Sequence, residues 1–406
     1  MLANNQSPIS HSQGISEKWE NFIFSWQSND RYLKMLAIVA QLSRLFSENR
    51  VPYIDYRLVE NLFCKYYTAI NDARLCTAYD ARIASLGIGI KTFILGKNHK
   101  LEKVAEFNSL RTELDKYEGV ALAKKLAYFR NERILFSQRT YGLSNSIYHI
   151  VGREAERLEI FNHPYPLIDI EAICSVKPGS GGSLSFTDGN YEYSFNNSKS
   201  VLMMRFLLPK ERTIVPVEIL DDPFSLLEQL ISDVSESHLS QPPLLKGIDY
   251  IVLPLYSYRN KRKEVPLKSG LNQWNAGGRK RHCDEVYIPI PKLIRNKYPN
   301  FFPDRDTPFT LKLPNGTELS AKVCQDGGKA LMSNPNQALG KWLLRDILQL
   351  KEGELVTSAT LDKYGMDSVL VTKLIASKDT EHPIKYRLDF CSGKYEQYDE
   401  FSQEIE

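Results

Sequence analysis

Residues 75–95 read LCTAYDARIASLGIGIKTFIL. The alternating apolar positions predict two short strands joined by a turn near Ser85–Gly87. Asp80 falls on the first strand and Lys91 on the second, eleven positions later. A lysine inside an apolar strand needs either a partner or a task. One reading is a strand-end ion pair with Asp80. The other is chemical: the aspartate binds a hard divalent cation, and the lysine steadies negative charge growing on a phosphate. Such a site wants a second carboxylate. The position two residues before Lys91, on the same strand face, is Gly89.

Outward from this hairpin, the composition sets broad limits. A chain of 406 residues predicts two domains. Its 42% hydrophobic and 25% charged content is that of an ordinary soluble globular protein, and the net charge of +3 is mild. The six cysteines form no CxxC pair, which argues against a zinc site or a disulfide framework and for a reducing, cytoplasmic setting. No apolar run is long enough to span a membrane. The opening MLANNQSPISHSQGI reads as a loose tail (residues 1–16), not a signal peptide.

Two amphipathic helices are predicted before the hairpin, in RYLKMLAIVAQLSRLF and RLVENLFCKYYTAI. After it, HKLEKVAEFNSLRTEL and GVALAKKLAYFRNER both read as helix, NSIYHIVGR and LIDIEAICSVKPG as strands. GGSLSFTDGNYEYSFNNSKSVLMMRFLL reads as a strand pair closed by Thr187-Asp188-Gly189, followed by a third strand. The polar stretch with Pro242-Pro243 marks a linker over 236–248. Beyond it the charge changes: eleven Lys and Arg against three acids between 256 and 300. Short strands follow (EVYIPIP, FTLKLP, ELSAKVCQ, SVLVTKLI, IKYRLDF), the pattern of a small β-barrel. The whole is of the mixed α+β or α/β class.

The Asp80–Lys91 hairpin resembles the PD-(D/E)XK nucleases of restriction enzymes. It departs from their pattern at Gly89 and lacks the proline before the aspartate. One branch of that family carries the second carboxylate on the following helix. Glu106 in LEKVAEFN lies at such a distance, and Glu102 is one turn earlier. Gly89 is then expected to leave room for the relocated acid. A solvated helix residue is the bland alternative for either glutamate. The family also places a glutamate on the helix before the aspartate strand, which here is Glu60 in RLVENLF. The resemblance implies Mg²⁺ as cofactor, held by Asp80 and Glu106. Ser198, Lys199 and Ser200 at a strand entry either grip a DNA phosphate or simply start a strand. The seven histidines form no HxK pair, which speaks against a phospholipase-D-like nucleophile.

The segment SGLNQWNAGGRKRHCDEVYIPIP (269–291) is more specific. Asn272, Gln273 and Asn275 have the amides that read adenine, and Arg279, Lys280 and Arg281 the donors that read guanine or phosphate. Trp274 between them is either a further DNA-binding residue or packing support for the loop, the second reading being favoured. CQDGGKALMSNPNQALGKWLLRDIL (324–348) gives a second polar loop with Lys329, Ser333, Asn334, Asn336 and Lys341. Together they resemble the C-terminal DNA-recognition domain of NgoFVII-type restriction endonucleases, a B3-like pseudobarrel. The resemblance implies two arms in the major groove, NQWNAGGRKR as one and GGKALMSNPNQALGKW as the other.

These readings predict a nuclease domain over 17–235, a B3-like domain over 249–395 and an acidic tail over 396–406. The expected function is a type II, Mg²⁺-dependent, sequence-specific bacterial restriction endonuclease acting on double-stranded DNA. A homodimer is expected, since cutting both strands needs two active sites or two visits. A cognate DNA methyltransferase is implied, though not as a stable complex. The alternatives are a DNA-binding regulator with a degenerate nuclease domain, favoured by Gly89, and a modification-dependent endonuclease.

Overall fold

The computed structural model describes residues 29–73, 75–233, 250–259, 262–374 and 385–392. The expected N-terminal tail, the 236–248 linker and the acidic tail lie outside the described residues. Helix α1 (Asp30–Gln41) starts where the Asn29 side chain accepts the Tyr32 amide at 3.1 Å. Helix α2 (Tyr56–Tyr67) starts where Asp55 accepts the Arg57 amide at 2.8 Å. Helix α3 (Gly119–Tyr141) ends at Gly142, whose φ of 65° closes the last turn.

The first sheet has six strands in the order β1 (Ile70–Asn71), β2 (Ala81–Ile83), β3 (Leu86–Ile94), β5 (Asn145–Glu154), β6 (Arg157–Pro164) and β11 (Thr213–Pro216). The hairpin is as expected: β2 and β3 are antiparallel, with Ala81 opposite Ile88. β3 and β5 are parallel, and the chain between them includes residues 99–106 and α3. Strand alternation decides what each side chain meets. Ile88 and Ile90 face α1 and α2, packing with Val59 and Phe63. Phe93 faces the other way, into a core shared with Leu122 and Leu126 of α3. Gly89 and Lys91 share that second face.

The second core is roofed by a five-stranded sheet, β4 (His99–Glu106), β10 (Val201–Leu207), β9 (Glu192–Asn196), β8 (Leu184–Thr187) and β7 (Cys174–Pro178). The β8–β9 hairpin and the β10 strand match expectation. The helix expected over HKLEKVAEFN does not form: residues 99–106 are the strand β4, paired antiparallel with β10. Ala105 faces Leu202 and Lys103 faces Met203, so Val104 is an extra, bulged residue. The bulge sets Leu101, Val104 and Ala105 at spacings that imitate a helix.

The C-terminal half is a seven-stranded sheet in the order β12 (Tyr250–Pro254), β19 (Ser368–Leu374), β20 (Lys385–Cys391), β16 (Phe309–Lys312), β17 (Glu318–Cys324), β18 (Ala330–Ser333) and β15 (Ile288–Pro289). Its first and last strands approach each other, so the sheet curls into a half-barrel. A side ribbon joins β13 (Ser257–Arg259) to β14 (Arg262–Glu264). The core of this half takes in Phe136 of α3, which stacks on Tyr364 at 4.8 Å between ring centroids. Tyr364 ends the helix α4 (Ser358–Tyr364). Lys363 pairs with Glu132 at 2.5 Å, Arg139 Nε donates to the Ile347 carbonyl at 3.2 Å and the Cys76 amide to the Phe390 carbonyl at 3.0 Å. Phe136 and these contacts therefore tie the N-terminal half to the C-terminal core. All six cysteines are free, as expected. Among the described residues no helix is long and apolar enough to cross a membrane.

Candidate active site and nucleic-acid interface

Asp80 directly precedes β2, across from Gly89. One carboxylate oxygen, Oδ2, accepts the Ile90 amide at 2.7 Å, and the Asp80 amide donates to the Ile88 carbonyl at 2.9 Å. The backbone of β3 thus fixes the carboxylate. Oδ1 makes no hydrogen bond among the described residues. Lys91 projects from β3 with its Nζ 6.0 Å from the Tyr148 ring centroid. No ion pair joins Asp80 to Lys91. The bland strand-end pair is therefore not what holds them, and both line a cleft of about 310 Å³.

The structure brings Glu60 to this pair. It sits on the inner face of α2, only 4% exposed, with Arg57 at 3.1 Å. Burial first, and then the Asp80 charge, push its carboxyl up to about 7, against the pull of Arg57 and Lys91. A buried carboxyl whose ionisation is opposed by a neighbouring carboxylate suits a divalent cation, which prefers hard oxygen ligands and keeps several waters. Asp80 and Glu60 fit a Mg²⁺ ion on that chemistry.

Glu106 is placed differently from expectation. It closes β4, not a helix, and its side chain is held by Lys103 at 3.1 Å and by the Asn108 amide. Its backbone carbonyl accepts Arg133 Nη1 at 2.5 Å. Glu102 lies opposite the fully buried Met204 and so leans inward. Burial raises its carboxyl, and Lys100, Lys91 and Arg153 draw it back. Nor does Gly89 leave space for a relocated acid. A Cβ there would meet the Tyr165 ring at 2.8 Å and the Tyr148 ring at 2.9 Å. These tyrosines stack with centroids 3.9 Å apart and fill the position from across the sheet.

Two residues that the sequence pattern did not single out complete the cleft. Arg130 and Arg133 stand one turn apart on α3 and line it with Lys91 and Asp80. The one local signal for them is a pair of arginines three apart on an otherwise apolar helix face. Tyr364 and Gly365 supply a wall from the C-terminal half.

In the C-terminal half the arm divides into a buried root and an exposed tip. Asn272 is fully buried in a tight turn. Its side-chain amide donates to the Pro266 and Val356 carbonyls at 3.0 and 2.8 Å and its oxygen accepts the Val356 amide at 2.9 Å. Gln273 is buried and donates to Glu285 at 3.3 Å. Neither amide is turned toward a groove, contrary to expectation, because each satisfies polar groups of the interior. Trp274 packs against the core, as expected. Asn275, Arg279 and Lys280 are exposed, and Arg279 also reaches Glu285. Arg281 braces the loop from within by donating to the Ala276 carbonyl at 2.9 Å. His282, Cys283 and Asp284 bring ligand atoms within 4.8 Å of one another, but Asp284 is already held by Arg345 at 2.8 Å.

The second loop has the same division. Ser333 is buried, its hydroxyl donating to the Pro335 carbonyl and accepting the Leu339 amide, both at 2.8 Å. Lys329, Asn334 and Lys341 are exposed and Asn336 is half-buried. Lys199 is exposed at the tip of the β9–β10 turn, its amide donating to Asn196 Oδ1 at 3.0 Å. Of the basic run, Lys261 lies outside the described residues.

No curated protein matches the chain. Residues 251–374 match the family model of the NgoFVII C-terminal B3-like DNA-binding domain, a domain of restriction enzymes, and the curled half-barrel observed over this segment is consistent with it.

Proposed function

We propose that the protein is a type II restriction endonuclease that reads a DNA sequence with its C-terminal half and hydrolyses phosphodiester bonds of the duplex at the Asp80–Lys91 cleft, with Mg²⁺. The observation that carries this reading is the union in one chain of a B3-like DNA-binding segment from restriction enzymes with a cleft lined by Asp80 and Lys91, to both of which the buried Glu60 is electrostatically coupled. In this reading Asp80 and Glu60 hold the cation, in place of the expected Asp80 and Glu106. When bound, it would polarise a phosphoryl oxygen and acidify a coordinated water. Lys91, with no carboxylate in contact, is free to stabilise charge on the phosphate. The exposed Asn275, Arg279 and Lys280 at one arm and Asn334 and Lys341 at the other would meet the DNA. The stacked tyrosines over Gly89 favour a second reading, a DNA-binding regulator whose nuclease half has lost an acid. A supercoiled-plasmid nicking assay separates the two. The nuclease reading expects nicked and linear product with Mg²⁺ and none with EDTA; intact plasmid under both conditions, with DNA binding retained, supports the regulator.

A further inference from the structure

Arg130 is 2% exposed, and a guanidinium stays charged at any pH a protein experiences. Its Nη1 donates to the Pro166 carbonyl at 2.6 Å and its Nη2 reaches the Tyr148 hydroxyl at 3.4 Å. Its Nε has no hydrogen-bond partner. Arg133 donates through Nη1 to the Glu106 carbonyl at 2.5 Å and through Nε to the Lys363 carbonyl at 3.4 Å, while its Nη2 makes no such bond. Among the described residues no carboxylate forms an ion pair with Arg130, Arg133 or Lys91. A buried charge without a counter-ion is expensive, and proteins seldom keep one without a use. Here the buried Arg130 and the half-buried Arg133 and Lys91 line a single cleft against one carboxylate, Asp80.

We infer that this cleft is an anion site in which Arg130 and Arg133, together with Lys91, bind a phosphate group of a nucleic-acid backbone. Only the identity of the anion rests on the nuclease reading; the need for one follows from the unpaired cations. A fork of guanidinium donors matches tetrahedral phosphate oxygens, and the stacked Tyr148–Tyr165 pair under Arg130 keeps its plane fixed, with the guanidinium carbon 5.5 Å from the Tyr165 ring centroid. Asp80, pinned by the Ile90 amide, lines the same cleft as the three cations.

The test uses the full-length protein in EDTA with inorganic phosphate as the probe, chloride holding the ionic strength constant. Binding is read from ³¹P line broadening. The wild type is expected to bind phosphate, and Arg133→Gln to weaken it about tenfold or more, the loss of a charge-assisted contact. Arg130→Gln should do the same, and Arg130→Lys should restore part of the affinity. Should Arg130→Gln fail to fold, Arg133→Gln decides. Equal phosphate affinity in wild type and a folded Arg133→Gln, or no binding to the wild type, overturns the inference. Plasmid nicking with Mg²⁺ is measured on the same proteins. Phosphate binding lost in Arg133→Gln with no nicking by the wild type upholds the anion site and rejects the nuclease reading. Nicking by the wild type with KM, kcat and phosphate affinity unchanged in Arg133→Gln does the reverse.

Discussion

Replacing Glu60 by glutamine isolates the electrostatics of the cleft. The carboxyl is raised from about 4.5 to about 7 by burial and by Asp80. At low pH it is protonated in the folded and unfolded chains alike. As pH rises from 4.5 toward 7 the unfolded chain releases its proton first, so the folded state loses stability, and above 7 that loss is complete. At about 1.4 kcal/mol for each pH unit between those two values, the loss reaches roughly 3 kcal/mol as an upper value. Glu60→Gln keeps the shape and removes the charge. In EDTA at pH 8 the variant should melt higher than the wild type, at roughly 2 °C or more per kcal/mol for a domain of about 200 residues. At pH 4.5 the two should nearly coincide. Mg²⁺ should restore stability to the wild type at pH 8 and leave the variant unmoved. Melting curves by differential scanning fluorimetry between pH 4.5 and 8.5, with EDTA or Mg²⁺, measure all of this. Parallel curves for the two proteins across the whole range would refute the reasoning, because Glu60 would then carry no charge conflict with Asp80.

Three further outcomes are expected. Gly89→Asp, which supplies the acid at the usual family position, should not raise cleavage; its Cβ meets the Tyr148 and Tyr165 rings within 2.9 Å, so urea denaturation should show a loss of about 1–3 kcal/mol. Asn272→Ala should destabilise the C-terminal half by about 2 kcal/mol or more, since it leaves the Val356 amide and two carbonyls without partners, and should leave the preferred DNA sequence unchanged in a binding-site selection. Arg279→Ala should cost about 1–3 kcal/mol on the cognate duplex and little on scrambled DNA, whereas Lys280→Ala should weaken both alike and flatten the salt dependence; gel-shift titrations at two salt concentrations compare them.

The sequence made the Asp80–Lys91 hairpin legible because strand alternation and a two-strand spacing are local properties. The five short strands of the C-terminal half were legible for the same reason, although EVYIPIP shrinks to the two-residue β15. β4 was not legible. The bulge at Val104 breaks its period of two, and only pairing with β10, a hundred residues away, makes it a strand. Asn272 and Gln273 looked like base readers because a polar residue in a basic loop gives no local sign of facing inward. The carbonyls and amide that capture Asn272 belong to Pro266 and Val356. Gly89 was visible as a missing acid, but the rings that occupy the position come from β5 and from the chain after β6. Glu60 was picked out from its place on the preceding helix. Its charge conflict with Asp80 depends on how α2 meets the hairpin, which no local pattern encodes.

The most direct test of the account is to incubate the purified protein with bacterial genomic DNA and Mg²⁺ and sequence the fragment ends. The account predicts ends that share one short sequence at a fixed distance from the cut, produced by the wild type and absent with EDTA and for Asp80→Ala and Lys91→Ala, both still folded and DNA-binding. Uncut DNA with the wild type, or the same ends at wild-type rate from either variant, would contradict it.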